Sequence, residues 1–143
     1  MSQLRYAVVM PAHNESAFIK TTLESLASQS VAPQKVVVVD DHSTDDTGLI
    51  ARNFATKYAW LSVVDNESDA VHLPGSKVIR AFNKGFETLT VDYDIIVKLD
   101  ADLILPPPII LRFCSRLSRL IQPWGWPAVL PISKKAASGS LKI

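Results

Sequence analysis

The sequence has almost no cysteine and no apolar run long enough to cross a bilayer. Its one cysteine, Cys114, excludes an intramolecular disulfide framework and any metal site built from several cysteines. That composition fits a reducing compartment. The first apolar stretch, from Leu4 to Met10, is too short for a signal peptide or a transmembrane segment. We therefore expect a cytoplasmic protein, with peripheral attachment to a membrane left open.

The chain also lacks an excess of either charge. Its 15 Lys and Arg residues and 14 Asp and Glu residues give a net charge of +1, and they are mixed along the chain, so nothing predicts a nucleic-acid partner. Glycine is scarce, and no Gly-x-Gly-x-x-Gly follows the first apolar run, which disfavours an ordinary dinucleotide-binding turn. With 143 residues, of which 48% are hydrophobic, the chain is one globular domain or a piece of one.

What the sequence does contain is an alternation of short apolar runs with stretches of helical periodicity. The runs predict four strands, at 6–10, 35–39, 60–64 and 95–99, with Pro11 ending the first. The first predicted helix spans 15–29, with Asn14 as its N-cap. A second is predicted to begin after a cap at Ser43, Thr44 or Asp45, and a third runs from about Val78 to Leu89. The alternation predicts an α/β fold with a mostly parallel sheet of about four strands and helices on both faces.

The fourth run ends in two carboxylates, Asp100 and Asp102, spaced one residue apart. Side chains alternate along a strand, so both carboxylates point the same way. Carboxylates so close repel each other unless a cation or a set of donors lies between them. A hard divalent ion that keeps positions open for substrate phosphates is the natural occupant. A polar strand exit with a helix cap is the alternative.

Polar residues also follow the first and second runs, as Pro11-Ala12-His13-Asn14-Glu15 and as Asp40-Asp41-His42-Ser43-Thr44-Asp45-Asp46-Thr47. Because open α/β sheets bind ligands at the carboxyl ends of their strands, we expect these segments to share one site with the Asp pair. Plainer roles stay open for some of them: a first-turn carboxylate for Glu15, helix capping for Asp45 and Asp46, a structural role for His13 and His42, and an ion pair for Lys98.

Taken together, the three motifs closely resemble those of the family 2 glycosyltransferases, enzymes of the GT-A fold. The resemblance covers about residues 4–108 and implies a Rossmann-like half-domain that binds a nucleotide sugar. It implies inverting transfer of a sugar from a UDP-, GDP- or dTDP-sugar to a hydroxyl of a glycan, lipid or protein. It also implies a divalent cation, Mg²⁺ or Mn²⁺, on the diphosphate.

Carried over residue by residue, the resemblance implies a role for each motif. Pro11, Ala12, Asn14 and Glu15 would line the nucleotide, with Glu15 accepting from ribose hydroxyls. Asp41, with Asp40 beside it, would accept a hydrogen bond from the base.

The remaining matches concern the diphosphate end of the donor. Asn83-x-Gly85 matches the family's helix, on which Lys77 or Arg80 would face the diphosphate, although the spacing before Asn83 departs from the commoner form. Asp100 and Asp102 match the metal-binding pair, with Asp102 favoured as the direct ligand.

The resemblance ends near Pro106-Pro107-Pro108. We expect residues 1–108 to be the nucleotide-sugar-binding region and residues 109–143 an irregular tail, in which 109–121 could make one helix. The codons that could encode Trp124 to Gly139 can also be read in a shifted frame, in which they give small residues and a strand-like stretch. A frameshift near residues 107–109 is therefore one hypothesis for a non-native tail.

The family would carry its acceptor site and general base after this point. The sequence offers no candidate for that base, so we expect a donor-binding half that is inactive alone. The main alternative is a non-catalytic module that binds a nucleotide or a partner. A nucleotidyltransferase is a weaker one, since Pro11 to Glu15 does not supply the Gly-rich, basic loop that such an enzyme needs.

Overall fold

The computed structural model describes residues 5–67, 76–108, 110, 112 and 116, and the backbone of 128–132. Its elements in chain order are β1 (Tyr6–Ala12), α1 (Ile19–Ala27), β2 (Lys35–Asp40), α2 (Thr47–Lys57), β3 (Leu61–Asp65), α3 (Ser76–Glu87), β4 (Ile95–Leu99) and β5 (Ala128–Ile132). Among these described residues, no helix is both long enough and apolar enough to span a membrane.

The strands form one parallel sheet in the order β3-β2-β1-β4-β5. The chain runs outward from β1 to β3 and then crosses back past β1 to β4, so the strand order reverses between β1 and β4. Ligands of open α/β sheets bind at such a reversal, beyond the carboxyl ends of the strands. The predicted parallel α/β sheet is confirmed, with a fifth strand that the sequence pattern did not predict.

The central strands are buried on both faces, as expected from their continuous apolar runs. On one face, Leu23 of α1 and Phe54 of α2 pack in a cluster with Val36. On the other face, Ala81 of α3 packs with Val9 in a second cluster. The predicted placement of helices on both faces is confirmed. The sheet therefore fixes the positions of the strand ends from which the motif-bearing loops begin.

The first strand and the first helix differ from prediction at the site itself. β1 continues through Pro11, which pairs with β2 at a point where pairing with β4 has already ended. α1 begins at Ile19 rather than at residue 15, and Phe18, not Asn14, takes the N-cap position. The N-cap prediction for Asn14 was wrong because its side-chain oxygen instead accepts from the Thr44 amide, at 2.8 Å.

The start of α2 also lies beyond the predicted caps. Asp46 takes the N-cap position without a side-chain cap hydrogen bond. Of the three candidates, Asp45 comes nearest to a capping role, since its Oδ1 accepts from the Thr47 amide at 3.0 Å.

Some of the described residues after 108 lie in regular structure. The backbone of β5 pairs in parallel with β4, from Ala128 opposite Ile95 to Ile132 opposite Leu99. Residues 110, 112 and 116 are helical, and the rest of the predicted 109–121 helix lies outside the described residues. The domain boundary at 108 and the frameshift hypothesis stay predictions.

Candidate functional site

A pocket of about 290 Å³ lies beyond the carboxyl ends of β1, β2 and β4. It occupies the place where the strand order reverses. The loop after β1, the end of β2, α3 and the segment after β4 all contribute to its lining: Pro11, Ala12, His13, Glu15, Asp41, Val78, Ala81, Asp100, Ala101 and Asp102. The fold therefore brings all three sequence motifs to one pocket.

The predicted site residues divide into three groups by position. Those that line the pocket are Pro11, Ala12, Glu15, Asp41, Asp100 and Asp102. Asn14 and Asp40 lie outside the lining: Asn14 is exposed in the loop after β1, and Asp40 is buried at the end of β2, with Oδ1 accepting from the Ser43 amide at 3.2 Å. Lys77, Arg80 and Asn83 are exposed on α3, and within the described part of the chain they are not among the lining residues.

Hydrogen bonds join the loop after β1 to the loop after β2. We call this set, between residues 13–16 and residues 41–47, the loop clamp. Three successive amides of the first loop donate to side chains of the second: Asn14 N to Ser43 Oγ at 3.0 Å, Glu15 N to Thr47 Oγ1 at 2.8 Å, and Ser16 N to Asp45 Oδ2 at 3.1 Å. The clamp ties this stretch to the side chains of residues 43–47, and α1 begins only after it, at Ile19.

The Asp45 side chain bonds both sides of the loop clamp. Its carboxylate accepts from the Thr47 hydroxyl, from the Thr47 amide and from the Ser16 amide. These donors, the Thr47 hydroxyl above all, hold the pKa of Asp45 well below its usual range, because they favour the charged form. Asp45 is therefore a carboxylate that bonds both loops.

Asp41 lines the pocket and is buried, with only 8% of the residue exposed. Its Oδ1 accepts from Asn66 Nδ2 at 2.8 Å, and its backbone oxygen lies 2.6 Å from His13 Nδ1. A carbonyl oxygen can only accept, so Nδ1 of His13 carries the proton. The sequence patterns did not indicate Asn66 as a site residue. A polar residue directly after β3 is nevertheless the same kind of signal as the polar residues after β1 and β2.

The Asp pair lies at the opposite side of the pocket from β2. Lys98 Nζ donates to Asp100 Oδ1 at 2.7 Å, and the two side chains are 25% and 38% exposed. This is the ion pair that the sequence left open for Lys98. Asp102 lines the pocket two residues on.

The Asp pair suits a hard cation whose remaining ligands come from a bound substrate. Within the residues that the structure describes, His, Cys, Asp and Glu form no group of three or more that could hold a metal. Two carboxylates together with phosphate and water oxygens match the preference of Mg²⁺ or Mn²⁺. The residues present fit such an ion when a diphosphate is bound beside it.

The chain is similar in sequence to glycosyltransferases over most of its own length. The probable glycosyltransferase YdaM of Bacillus subtilis is 31% identical over 68% of this chain and 23% of its own. The amylovoran biosynthesis glycosyltransferase AmsB of Erwinia amylovora is 35% identical over 71% of this chain and 32% of its own. The chain thus spans about a quarter to a third of the length of these relatives.

Solved structures with the same fold match most of this chain. TarS of S. aureus, residues 1–349, has a TM-score of 0.64 at 25% identity, over 83% of this chain and 33% of that one. The mannosyltransferase PcManGT of Pyrobaculum calidifontis, in complex with GDP-Man and Mn²⁺, has a TM-score of 0.60 at 27% identity, over 74% and 30%. Glucosyl-3-phosphoglycerate synthase of Mycobacterium tuberculosis, in complex with Mn²⁺, UDP and its glucosylated product, has a TM-score of 0.54 at 25% identity, over 87% and 40%.

The model of the family described as "Glycosyl transferase family 2" matches residues 7–120. That range includes β1 from its second residue, all of β2, β3 and β4, and every residue that lines the pocket. The match, the relatives and the parallel sheet agree with one another, and the chain belongs to glycosyl transferase family 2, with the GT-A fold.

Proposed function

We propose that this chain is the donor-binding part of a glycosyltransferase that transfers a sugar from a nucleoside-diphosphate sugar to an acceptor hydroxyl. The observation that carries the proposal is the convergence of Asp41, Glu15 and the Asp100–Asp102 pair on one pocket. Solved relatives that hold GDP-Man with Mn²⁺ or UDP with Mn²⁺ support it. The single cysteine supports a reducing, cytoplasmic location.

The β2 side of the pocket would take the nucleoside. Asn66 holds Asp41 through Oδ1, and Oδ2 would accept an N–H of the base. Uracil and guanine both present such a ring N–H, so the carboxylate alone does not choose between UDP and GDP. Glu15, from the loop after β1, would accept from the ribose hydroxyls.

The β4 side would take the diphosphate, with Asp100 and Asp102 holding the cation. A bound divalent ion supplies positive charge that stabilises the diphosphate as it departs. The positively charged Lys98 side chain donates to Asp100. Its charge lowers the repulsion between the Asp100 and Asp102 carboxylates. Its contribution is to keep the pair in place before the cation and donor arrive.

Calorimetric titration with UDP and with GDP, each in MnCl₂ and in EDTA, tests this proposal. The wild-type chain should bind one of the two nucleotides more tightly with Mn²⁺ than with EDTA. Asp102→Asn should remove that gain and leave the affinity in EDTA unchanged, because it removes one ligand charge and keeps the side chain's shape.

Asp92→Asn is the matched control, since the Asp92 side chain is 93% exposed and pairs only with Arg5 at the opposite end of β1 among the described ion pairs. It should leave both affinities unchanged. A Mn²⁺-dependent gain that survives in Asp102→Asn would remove the assigned metal role, and a wild-type chain that binds neither nucleotide would overturn the proposed function.

A non-catalytic nucleotide-binding module makes the same binding prediction. Release of UDP from UDP-sugars, or of GDP from GDP-sugars, separates the two. Nucleotide released above the rate of a no-protein blank favours the enzyme, and tight Mn²⁺-dependent binding without release favours the module.

A further inference from the structure

α1 and the turn that follows it carry three polar residues that are nevertheless buried. Thr22 and Ser25 lie in α1 and Gln29 lies just beyond its end, and they are 1%, 9% and 8% exposed. Their spacing places them along one side of the helix. Burying polar groups costs free energy unless they are hydrogen-bonded, so their partners show what they do.

Each side chain donates to a carbonyl one turn earlier, and each also bonds backbone atoms of the segment that follows β4, described at residues 100–108 and 110. Thr22 Oγ1 donates to the Ala101 carbonyl at 2.8 Å, and Ser25 Oγ accepts from the Leu105 amide at 3.0 Å. Gln29 donates to the Leu105 carbonyl at 2.9 Å and accepts from the Ile110 amide at 3.3 Å. Four hydrogen bonds from three side chains therefore fasten this segment onto α1.

The segment depends on these bonds because sheet pairing has already stopped. The ladder of β4 with β1 ends at Lys98, and the ladder with β5 ends at Leu99. From Ala101 to Pro106 the chain is a turn followed by irregular backbone. Both carboxylates of the Asp pair therefore lie where sheet hydrogen bonds no longer determine the path of the backbone.

Thr22 contacts this segment at the residue between the two carboxylates. The carbonyl of Ala101 belongs to the peptide unit that leads into Asp102, and that unit is planar. A hydrogen bond to the carbonyl therefore fixes the orientation of the whole unit and with it the starting direction of Asp102. The Thr22 hydroxyl also lies 3.2 Å from the Phe18 carbonyl, but the Ala101 carbonyl is nearer.

We propose that Thr22 is a positioning residue for the cation-binding carboxylates, acting through the Ala101 carbonyl. The inference rests on the proposed function and deepens it. Loss of the hydroxyl leaves a buried carbonyl without this partner, and the peptide unit then shifts to satisfy it. Groups that orient metal ligands in this way alter metal affinity by roughly 10- to 100-fold when they are removed.

Three variants separate positioning from general stability. Thr22→Val keeps the shape and removes the hydroxyl, while Thr22→Ser keeps the hydroxyl. Thr56→Val is the control, since Thr56 also donates to a carbonyl of its own helix, Asn53, but is exposed on α2. Thr22→Cys, whose thiol is a weak donor, replaces Thr22→Val if the valine variant does not unfold cooperatively.

The measurement is the affinity for UDP or GDP, whichever the wild-type chain binds, in MnCl₂ and in EDTA. We expect Thr22→Val to lower the Mn²⁺-dependent gain by at least about tenfold, with the affinity in EDTA unchanged. Thr22→Ser and Thr56→Val should keep the wild-type gain.

A gain that persists in Thr22→Val, or an equal loss in MnCl₂ and EDTA, would overturn the positioning role alone. A wild-type chain without any Mn²⁺-dependent gain would instead overturn the proposed cation site, and this inference with it. The two failures are therefore distinguished by the wild-type titration.

Discussion

Asp45 shows how one side chain can determine the geometry of two loops. It bonds the Ser16 amide in the loop after β1 and the Thr47 amide and hydroxyl at the start of α2. The sequence analysis assigned it to helix capping, and its bond to Thr47 is close to that role. Its bond to Ser16 joins residues 29 positions apart, and no local pattern could indicate such a contact.

Replacing Asp45 with asparagine tests this role through its dependence on pH. The pKa of Asp45 is lowered from an ordinary value of 3.8, mainly by the Thr47 hydroxyl. A lowered pKa in the folded state stabilises the protein fully above the ordinary value, and the stabilisation is lost as the pH falls through the folded-state pKa. Asp45→Asn should therefore melt below the wild type at neutral pH, and the difference should shrink below about pH 4.

Thermal unfolding followed by circular dichroism from about pH 7 to about pH 3 measures this difference. Asp46→Asn is the control, because Asp46 is exposed and makes no side-chain cap bond to α2. Equal melting temperatures for Asp45→Asn and Asp46→Asn at neutral pH would show that the carboxylate of Asp45 does not stabilise the loop clamp.

At the scale of elements, α3 shows the limit of hydrophobic periodicity. The pattern predicted a helix here, and the helix is present, but its buried residues are Ala81 and Gly85. Val78, Ile79 and Phe86 are 45%, 62% and 42% exposed. Periodicity indicates that a helix has a distinct face, and side-chain volume then decides which face approaches the sheet. A large side chain does not fit where the helix and sheet are this close.

Gly85 is the point of closest approach between α3 and the sheet. A Cβ there would lie 2.6 Å from Val39 Cγ2 and 2.7 Å from Val9 Cγ1. We expect Gly85→Ala to destabilise the fold by up to about 2 kcal/mol, because an overpacking cost of about 1–3 kcal/mol exceeds the gain in helix propensity of ~1 kcal/mol. Urea unfolding measures the change.

Lys84→Ala, at the exposed neighbouring position, should change the free energy of unfolding by less than about 0.5 kcal/mol. A Gly85→Ala variant that is more stable than the wild type would mean that helix propensity dominates and that the close approach relaxes without cost.

At the scale of the whole molecule, the sequence predicted the parallel α/β architecture and the end of the sheet at which the candidate site lies. These follow from local signals, namely apolar runs and the polar residues that end them. The partners of Asp41, Asp45 and Thr22 could not be predicted, because each is joined to residues from another part of the chain. The fifth strand was missed because 128–132 carries a proline and no alternating pattern.

The pairing of β5 with β4 makes a prediction about the end of the chain. Backbone amides at 128–130 and 132 should exchange with deuterium more slowly than in the unfolded chain, because they lie in a parallel ladder at one edge of the sheet. The opposite edge strand, β3, is the internal reference for such protection. Exchange at 128–132 as fast as in urea, with β3 protected, would instead favour the non-native tail.

The loop clamp has a consequence for how fast a donor is captured. The amides of Asn14, Glu15 and Ser16 are bonded within the protein, to the side chains of Ser43, Thr47 and Asp45. The nucleoside side of the pocket therefore loses little conformational entropy on association. Capture at that side should be a single second-order step, whose observed rate rises in proportion to nucleotide concentration without levelling off at a slower rearrangement.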